Sequence, residues 1–141
     1  MNPAKITQLV SGGRIDDRQA LSLIEASRKG VSYRAFAQFA KALSFSMADW
    51  ARILNISGRT MQRLKKENRT LDQAMSERIF RIALLNERGS NVLGSPAGFV
   101  SWIESENVAL GGMKPISLLD STFGIDLVHD ELTRIEHGIL A

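Results

Sequence analysis

Apolar residues along this chain return every third or fourth position, and alternating runs of the kind that make strands are scarce. The spacing predicts helices nearly throughout. Asp16 or Asp17 caps a helix to Lys29 that turns Ala20, Leu21, Ile24 and Ser27 inward, with Gly30 as its stop. Ser32 opens the next, where Phe36, Phe39, Ala40 and Leu43 keep the i, i+3, i+4, i+7 rhythm. Ser46 introduces MADWARIL, Asn55-Ile56 interrupts it, and Ser57 opens a helix to about Glu67. After a break over 68–71, residues 72–87 are strongly helical, with Ala74, Ile79, Ile82, Ala83 and Leu85 apolar. Gly89, Gly94 and Ser95-Pro96 punctuate the next stretch, and Ser95-Pro96 starts a helix carrying Phe99, Trp102 and Ile103. Leu110-Gly111-Gly112 is a turn. Pro115 begins the short helix PISLLDST, which Gly124 stops, and 126–137 form the last helix, with Val128, Leu132 and Ile135 on one face and Gly138 behind it. The fold class this predicts is all-α.

One stretch has tighter requirements. Two helices crossing steeply at a short turn need a small residue at the crossing, a turn residue tolerant of left-handed backbone, and a cap on the second helix. Ala51, Asn55 and Ser57 supply these in order, and Trp50, Leu54, Ile56, Met61 and Leu64 supply the apolar weld. This is the pattern of a helix-turn-helix. The outward positions of its second helix are Gly58, Arg59, Gln62, Arg63 and Lys66, with Ser57 and Thr60 at its start. Arg reads guanine and Gln reads adenine by paired hydrogen bonds, whereas Lys65, Lys66 and Arg69 suit phosphates. A helical hairpin with a solvated basic side is the plainer alternative.

Charge sharpens the picture. The 141 residues carry a net +3, but 51–69 hold six cations against Glu67, a net +5, and 104–141 hold seven acids against Lys114 and Arg134, a net −5. Opposed ends suggest two different partners. With 44% hydrophobic and 23% charged residues the chain is an ordinary globular one. It has no apolar run of about 18 residues to span a membrane and no signal-peptide pattern at its start. There is no cysteine, hence no disulfide or thiolate chemistry. The expectation is an intact cytoplasmic chain. His129 and His137 stand without the spacing of a metal site, no GxSxG or phosphate loop occurs, and neither metal nor cofactor is expected. The chain reads as non-enzymatic.

ISGRTMQRLKK followed by LDQAMSERIFRIALL resembles the Xre-like antitoxins, with Ser57, Arg59, Thr60, Arg63, Leu71, Ser76, Glu77, Arg78 and Arg81 matching in order. W-I-x-x-x-N-x-x-L-G-G-x-x-P-x-x-L-L-D, from Trp102 to Asp120, and G-x-x-x-V-x-x-x-L-x-x-I-E-x-G, from Gly124 to Gly138, resemble the Xre/MbcA/ParS toxin-binding domain. The departures are His137 where Tyr is usual, Lys114 where Thr or Ser precedes the proline, and Gly89 interrupting a helix that usually continues with alanine.

The resemblance implies a DNA-binding domain over 1–70 and a toxin-binding domain over 71–141. It implies a type II antitoxin that neutralises a RES-domain, NAD+-consuming toxin by covering its active site and binds the operator DNA of its own promoter. Hetero-oligomers with toxin follow from it too, and homo-oligomers, dimers foremost, are expected because one recognition helix reads only a few base pairs. The toxin-facing candidates are the turn residues Gly111, Gly112, Lys114 and Pro115, although for Gly111, Gly112 and Pro115 shaping the turn is the first reading and contact the second. To these are added the end His137, Gly138, Ile139, Leu140 and Ala141, which either inserts into a partner or frays. A stand-alone transcription regulator, its last helices serving dimerisation or ligand sensing, is the alternative function.

Overall fold

The computed structural model describes residues 3–12 and 15–138. Among these residues eight α-helices run in order: α1 (Pro3–Leu9), α2 (Asp17–Lys29), α3 (Tyr33–Ala40), α4 (Met47–Ile53), α5 (Gly58–Glu67), α6 (Gln73–Leu93), α7 (Pro96–Ile103) and α8 (Thr122–Glu136). Two 3₁₀ turns, Val108–Leu110 and Pro115–Leu118, lie between α7 and α8. Among the described residues there is no β-strand, so the all-α class stands.

Each helix from α2 onward begins where a short polar side chain satisfies a free backbone amide. Asp16, Ser32, Ser46, Ser57, Asp72, Ser95 and Ser121 all accept such a bond, and at α2 and α4 the third helical residue reciprocates to complete a capping box. The N-terminal core gathers on Trp50, which is fully buried. Phe36 meets it edge-on at 5.0 Å, with Phe39 and Phe45 at 6.4 and 5.3 Å. The same apolar cluster continues without a break through Ile79, Ile82 and Leu85 of α6 to Phe99, Ile103, Leu119, Ile125, Val128 and Leu132. α6 is the spine: it packs on α2 at one end and on α7 and α8 at the other.

Four expectations change. α6 runs on to Leu93, because Gly89 does not break it. A Cβ at Gly89 would lie 2.0 Å from the Phe99 ring, so the missing side chain makes room for α7 to close onto α6. Gly124 likewise stops nothing: α8 begins at Thr122, capped by Ser121, and Gly124 lies in its first turn. A Cβ there would sit 1.7 Å from the Leu118 carbonyl oxygen, so the glycine lets the preceding 3₁₀ turn pack against the helix. On α2, Leu21 and Ile24 face outward at 68% and 44% exposure, and Leu23, Ala26 and Ser27 are the buried face. Ser27 is tolerated inside because its hydroxyl donates to the Leu23 carbonyl at 2.7 Å. Ala74, expected on the apolar face of α6, is exposed.

Candidate nucleic-acid interface and partner surface

The crossing of α4 and α5 follows the expected plan. Ala51 is buried at the crossing, and its carbonyl accepts from the Ile56 amide at 2.9 Å. Asn55 takes the left-handed conformation at φ 58°, turning the chain without glycine. Trp50, Leu54, Met61 and Leu64 are buried, and Ile56 is partly buried against the same core. Ser57 accepts from the Thr60 amide at 3.0 Å and donates to the Thr60 hydroxyl at 3.0 Å, so both side chains serve the start of α5.

With Met61 and Leu64 anchored, the roll of α5 is fixed. Arg59, Gln62, Arg63, Lys65 and Lys66 all stand in solvent on its outer side. Arg69 is exposed just beyond the helix, where its side chain pairs with Glu67 and its carbonyl accepts from the Tyr33 amide at 2.9 Å. Four solvated cations and a Gln on one protruding helix have the shape and charge to enter a major groove.

Arg52, one of the six cations of the basic stretch, is different. It is half-buried and turned toward the C-terminal half. Its guanidinium donates to the Ile116 carbonyl at 2.9 Å and to that of Ser117 at 3.2 Å. Arg78 of α6 donates to both Ile53 and Leu119 carbonyls at 3.2 Å, and the Asn55 side chain donates to the Asp120 carbonyl at 3.4 Å. These donors, two of them charged, thus satisfy free carbonyls around the end of the Pro115–Leu118 turn and bolt the helix-turn-helix to the C-terminal half. No local sequence signal points to this, since the donors and their acceptors in the C-terminal half are 41, 64 and 65 residues apart.

On that C-terminal half, Gly111 and Gly112 lie exposed with φ of 72° and 79°. The loop they turn is closed by hydrogen bonds of Asn107 with Gly112 and Met113. Lys114 is exposed, while Pro115 is buried beneath the turn and shapes it. His137 and Gly138 are exposed at the end of α8; Ile139, Leu140 and Ala141 lie outside the described residues. Leu119, Val128 and Leu132 are core, in keeping with their spacing.

Four exposed apolar side chains escape a reading by sequence: Val108 (95%), Met113 (48%), Phe123 (85%) and Leu127 (49%). The signal for two of them is nonetheless present. With α8 started at Thr122, Phe123 and Leu127 fall one turn apart on the face opposite Ile125 and Val128. Among the described residues, no group of three or more His, Cys, Asp and Glu could hold a metal ion. Burial and the nearby Arg88 guanidinium lower the pKa of His129 below its ordinary 6.5, against weaker opposing effects of Asp126 and Asp130. No helix among the described residues is long and apolar enough to cross a membrane.

These features define a helix-turn-helix DNA-binding protein with a helical partner-binding domain fused to it. A family model of the antitoxin Xre-like helix-turn-helix domain matches residues 22–84, and one of the antitoxin Xre/MbcA/ParS C-terminal toxin-binding domain matches 88–138. The chain belongs to the Xre/MbcA/ParS-type antitoxins. It is 28% identical over 123 residues to the Prs ADP-ribosylating antitoxin of Sphingobium sp. (strain YBL2), covering 81% of this chain and 77% of that one. It is 25% identical over 120 residues to antitoxin Xre of Yersinia enterocolitica serotype O:8 / biotype 1B (strain NCTC 13174 / 8081), covering 84% and 81%. The protein is an antitoxin of a toxin–antitoxin system, with a toxin for one partner and DNA for the other.

Proposed function

We propose that this antitoxin neutralises a RES-domain toxin that consumes NAD+, covering its active site with residues 96–141, and represses its own operon through α5. The observation that carries the reading is the pairing of a fully assembled helix-turn-helix with a domain matched to toxin binding in one continuous core. The name of the Sphingobium relative supports the toxin class, because ADP-ribosyl transfer draws its group from NAD+. The chain itself performs no catalysis and takes no cofactor; its action is steric. Arg59, Gln62 and Arg63 read bases, and Ser57, Thr60, Lys65, Lys66 and Arg69 set the helix and hold phosphates. Gly111, Gly112 and Lys114 face the toxin, Pro115 shapes the turn that presents them, and His137 to Ala141 reach toward its active-site entrance. The working unit is a homodimer, since one α5 reads only a few base pairs.

Co-expression with the product of the adjacent gene tests the reading. That product alone should stop growth and deplete cellular NAD+, and this chain should restore both in a complex that co-purifies. A neighbour that is harmless, or that ignores this chain, would leave a DNA-binding regulator without its proposed target. Growth arrest with NAD+ levels intact would remove the RES class and keep the antitoxin.

A further inference from the structure

The outward face of α8 carries an apolar pair that the fold of this chain does not use. Phe123 and Leu127 lie one helical turn apart, 85% and 49% exposed. Neither is at a frayed end. The Ser121 side chain accepts the Gly124 amide at 3.0 Å, and Gly124 is pressed against the Leu118 carbonyl, fixing the first turn directly under Phe123. Ile125, Val128 and Leu132 are fully buried on the opposite side, so α8 cannot roll to hide the pair. A large aromatic ring held on a rigid turn in water has already lost much of the conformational freedom that binding would otherwise cost, which is the condition of an interface anchor.

The exposed charged residues that flank the pair along the chain are acids. Asp126 and Asp130 flank it on the same helix and Asp120 precedes it, all exposed. No salt bridge engages their carboxylates among the described residues, because the arginines nearby are spent elsewhere. Arg134 is held by Glu131 at 2.7 Å, and Arg88 by Glu136 at 3.2 Å. Beside α8, Val108 and Met113 add apolar surface at either end of the Gly111-Gly112 loop, whose 3₁₀ turn packs on α8. All of these residues lie within the span matched to the toxin-binding domain.

We infer that the toxin docks on this face, Phe123 entering an apolar socket on the toxin with Leu127 packed beside it, and that the socket is rimmed by lysine or arginine side chains that meet Asp120, Asp126 and Asp130. The inference rests on the toxin partnership and is independent of the toxin's reaction. The anchor sets the lifetime of the complex and the carboxylates speed its formation.

A displacement experiment tests it. A complex of tagged wild-type antitoxin and the adjacent gene's product is purified and challenged with untagged full-length chains. Wild-type competitor should displace half the tagged chain near equimolar amounts. Phe123→Ala should need at least about tenfold more and Phe123→Asp more still. Both variants should melt at the wild-type temperature and bind operator DNA unchanged. Asp126→Asn with Asp130→Asn should slow association and flatten its dependence on salt. Phe123→Asp competing as well as wild type would overturn the inference. So would a variant that competes normally but elutes as a smaller species, which would make this face a contact between two copies of the chain. If no complex with the neighbour can be purified even with wild type, the toxin partnership fails, and this inference with it.

Discussion

The outer faces of α5 and α8 are built alike beneath and oppositely above. Each helix is capped by a serine and fixed in roll by two or more buried apolar side chains. α5 then presents long, hydrated cations, whereas α8 presents an aromatic ring, a leucine and short acids. Counterions released from DNA power the first kind of face, and water released from apolar surface powers the second. On the proposed assignment, the two partners differ in what they respond to: one to ionic strength, the other to the shape of a single side chain.

Removing Arg59 and Arg63 together should separate the faces most sharply. At about 1–3 kcal/mol for each base-reading arginine, operator affinity should fall by upwards of about a hundredfold in a fluorescence-anisotropy titration, with growth rescue intact. Loss of both activities would mean that the faces are not separate. Salt offers a probe that changes no residue. With about six phosphate contacts in a dimer, three cations from each copy, operator affinity should drop by about a thousandfold between about 50 and about 200 mM salt, while the toxin complex weakens only a few-fold. Equal slopes would erase the distinction.

Gly89→Ala tests the packing of α7 on α6. Alanine favours a helix by about 1 kcal/mol over glycine, yet its Cβ would meet the Phe99 ring at 2.0 Å. Overpacking of this kind costs about 1–3 kcal/mol, so the net effect should be a loss, read as a melting temperature lower by several degrees. Phe99→Leu in the same chain should recover part of it, a coupling that a surface effect would not produce. The smallest effect is expected from pH. Because His129 has a lowered pKa in the fold, the unfolded chain takes up a proton first as pH drops below 6.5. Stability should be full above that value and decline beneath it until the folded state protonates too. His129→Gln should remove this component from the pH profile of urea denaturation, and an unchanged profile would assign the acid sensitivity to other groups.

The helix-turn-helix is legible in the sequence because its constraints are local: Ala51, Asn55, Ser57 and five apolar positions lie within fifteen residues. The C-terminal half resists because glycine reports only the absence of a Cβ. Whether that absence frees the backbone or makes space for a neighbour is decided by Phe99 for Gly89 and by Leu118 for Gly124. Arg52 shows the same limit for charge. Its sign is legible, but its placement against the Ile116 and Ser117 carbonyls depends on a turn 64 and 65 residues away. The displaced start of α8 then conceals Phe123, and with it the strongest candidate for a partner contact. The α2 face fails for a simpler reason: apolar residues at 20, 21, 23, 24 and 26 satisfy more than one helical stripe, and packing selects Leu23 and Ala26.

The bolt formed by Arg52, Asn55 and Arg78 also leaves the molecule no tether between its two ends. α6 runs from one half into the other as a single rod, and the bolt pins the DNA-reading turn to the base of α8. On the proposed function, a toxin seated on the C-terminal half would thus be carried to the promoter at one set bearing, as an object on a bracket and not on a string. Whether a second loaded copy fits beside the first is then a matter of bearing and bulk. On that proposal, the number of toxins aboard would be something a stretch of promoter could register by crowding alone.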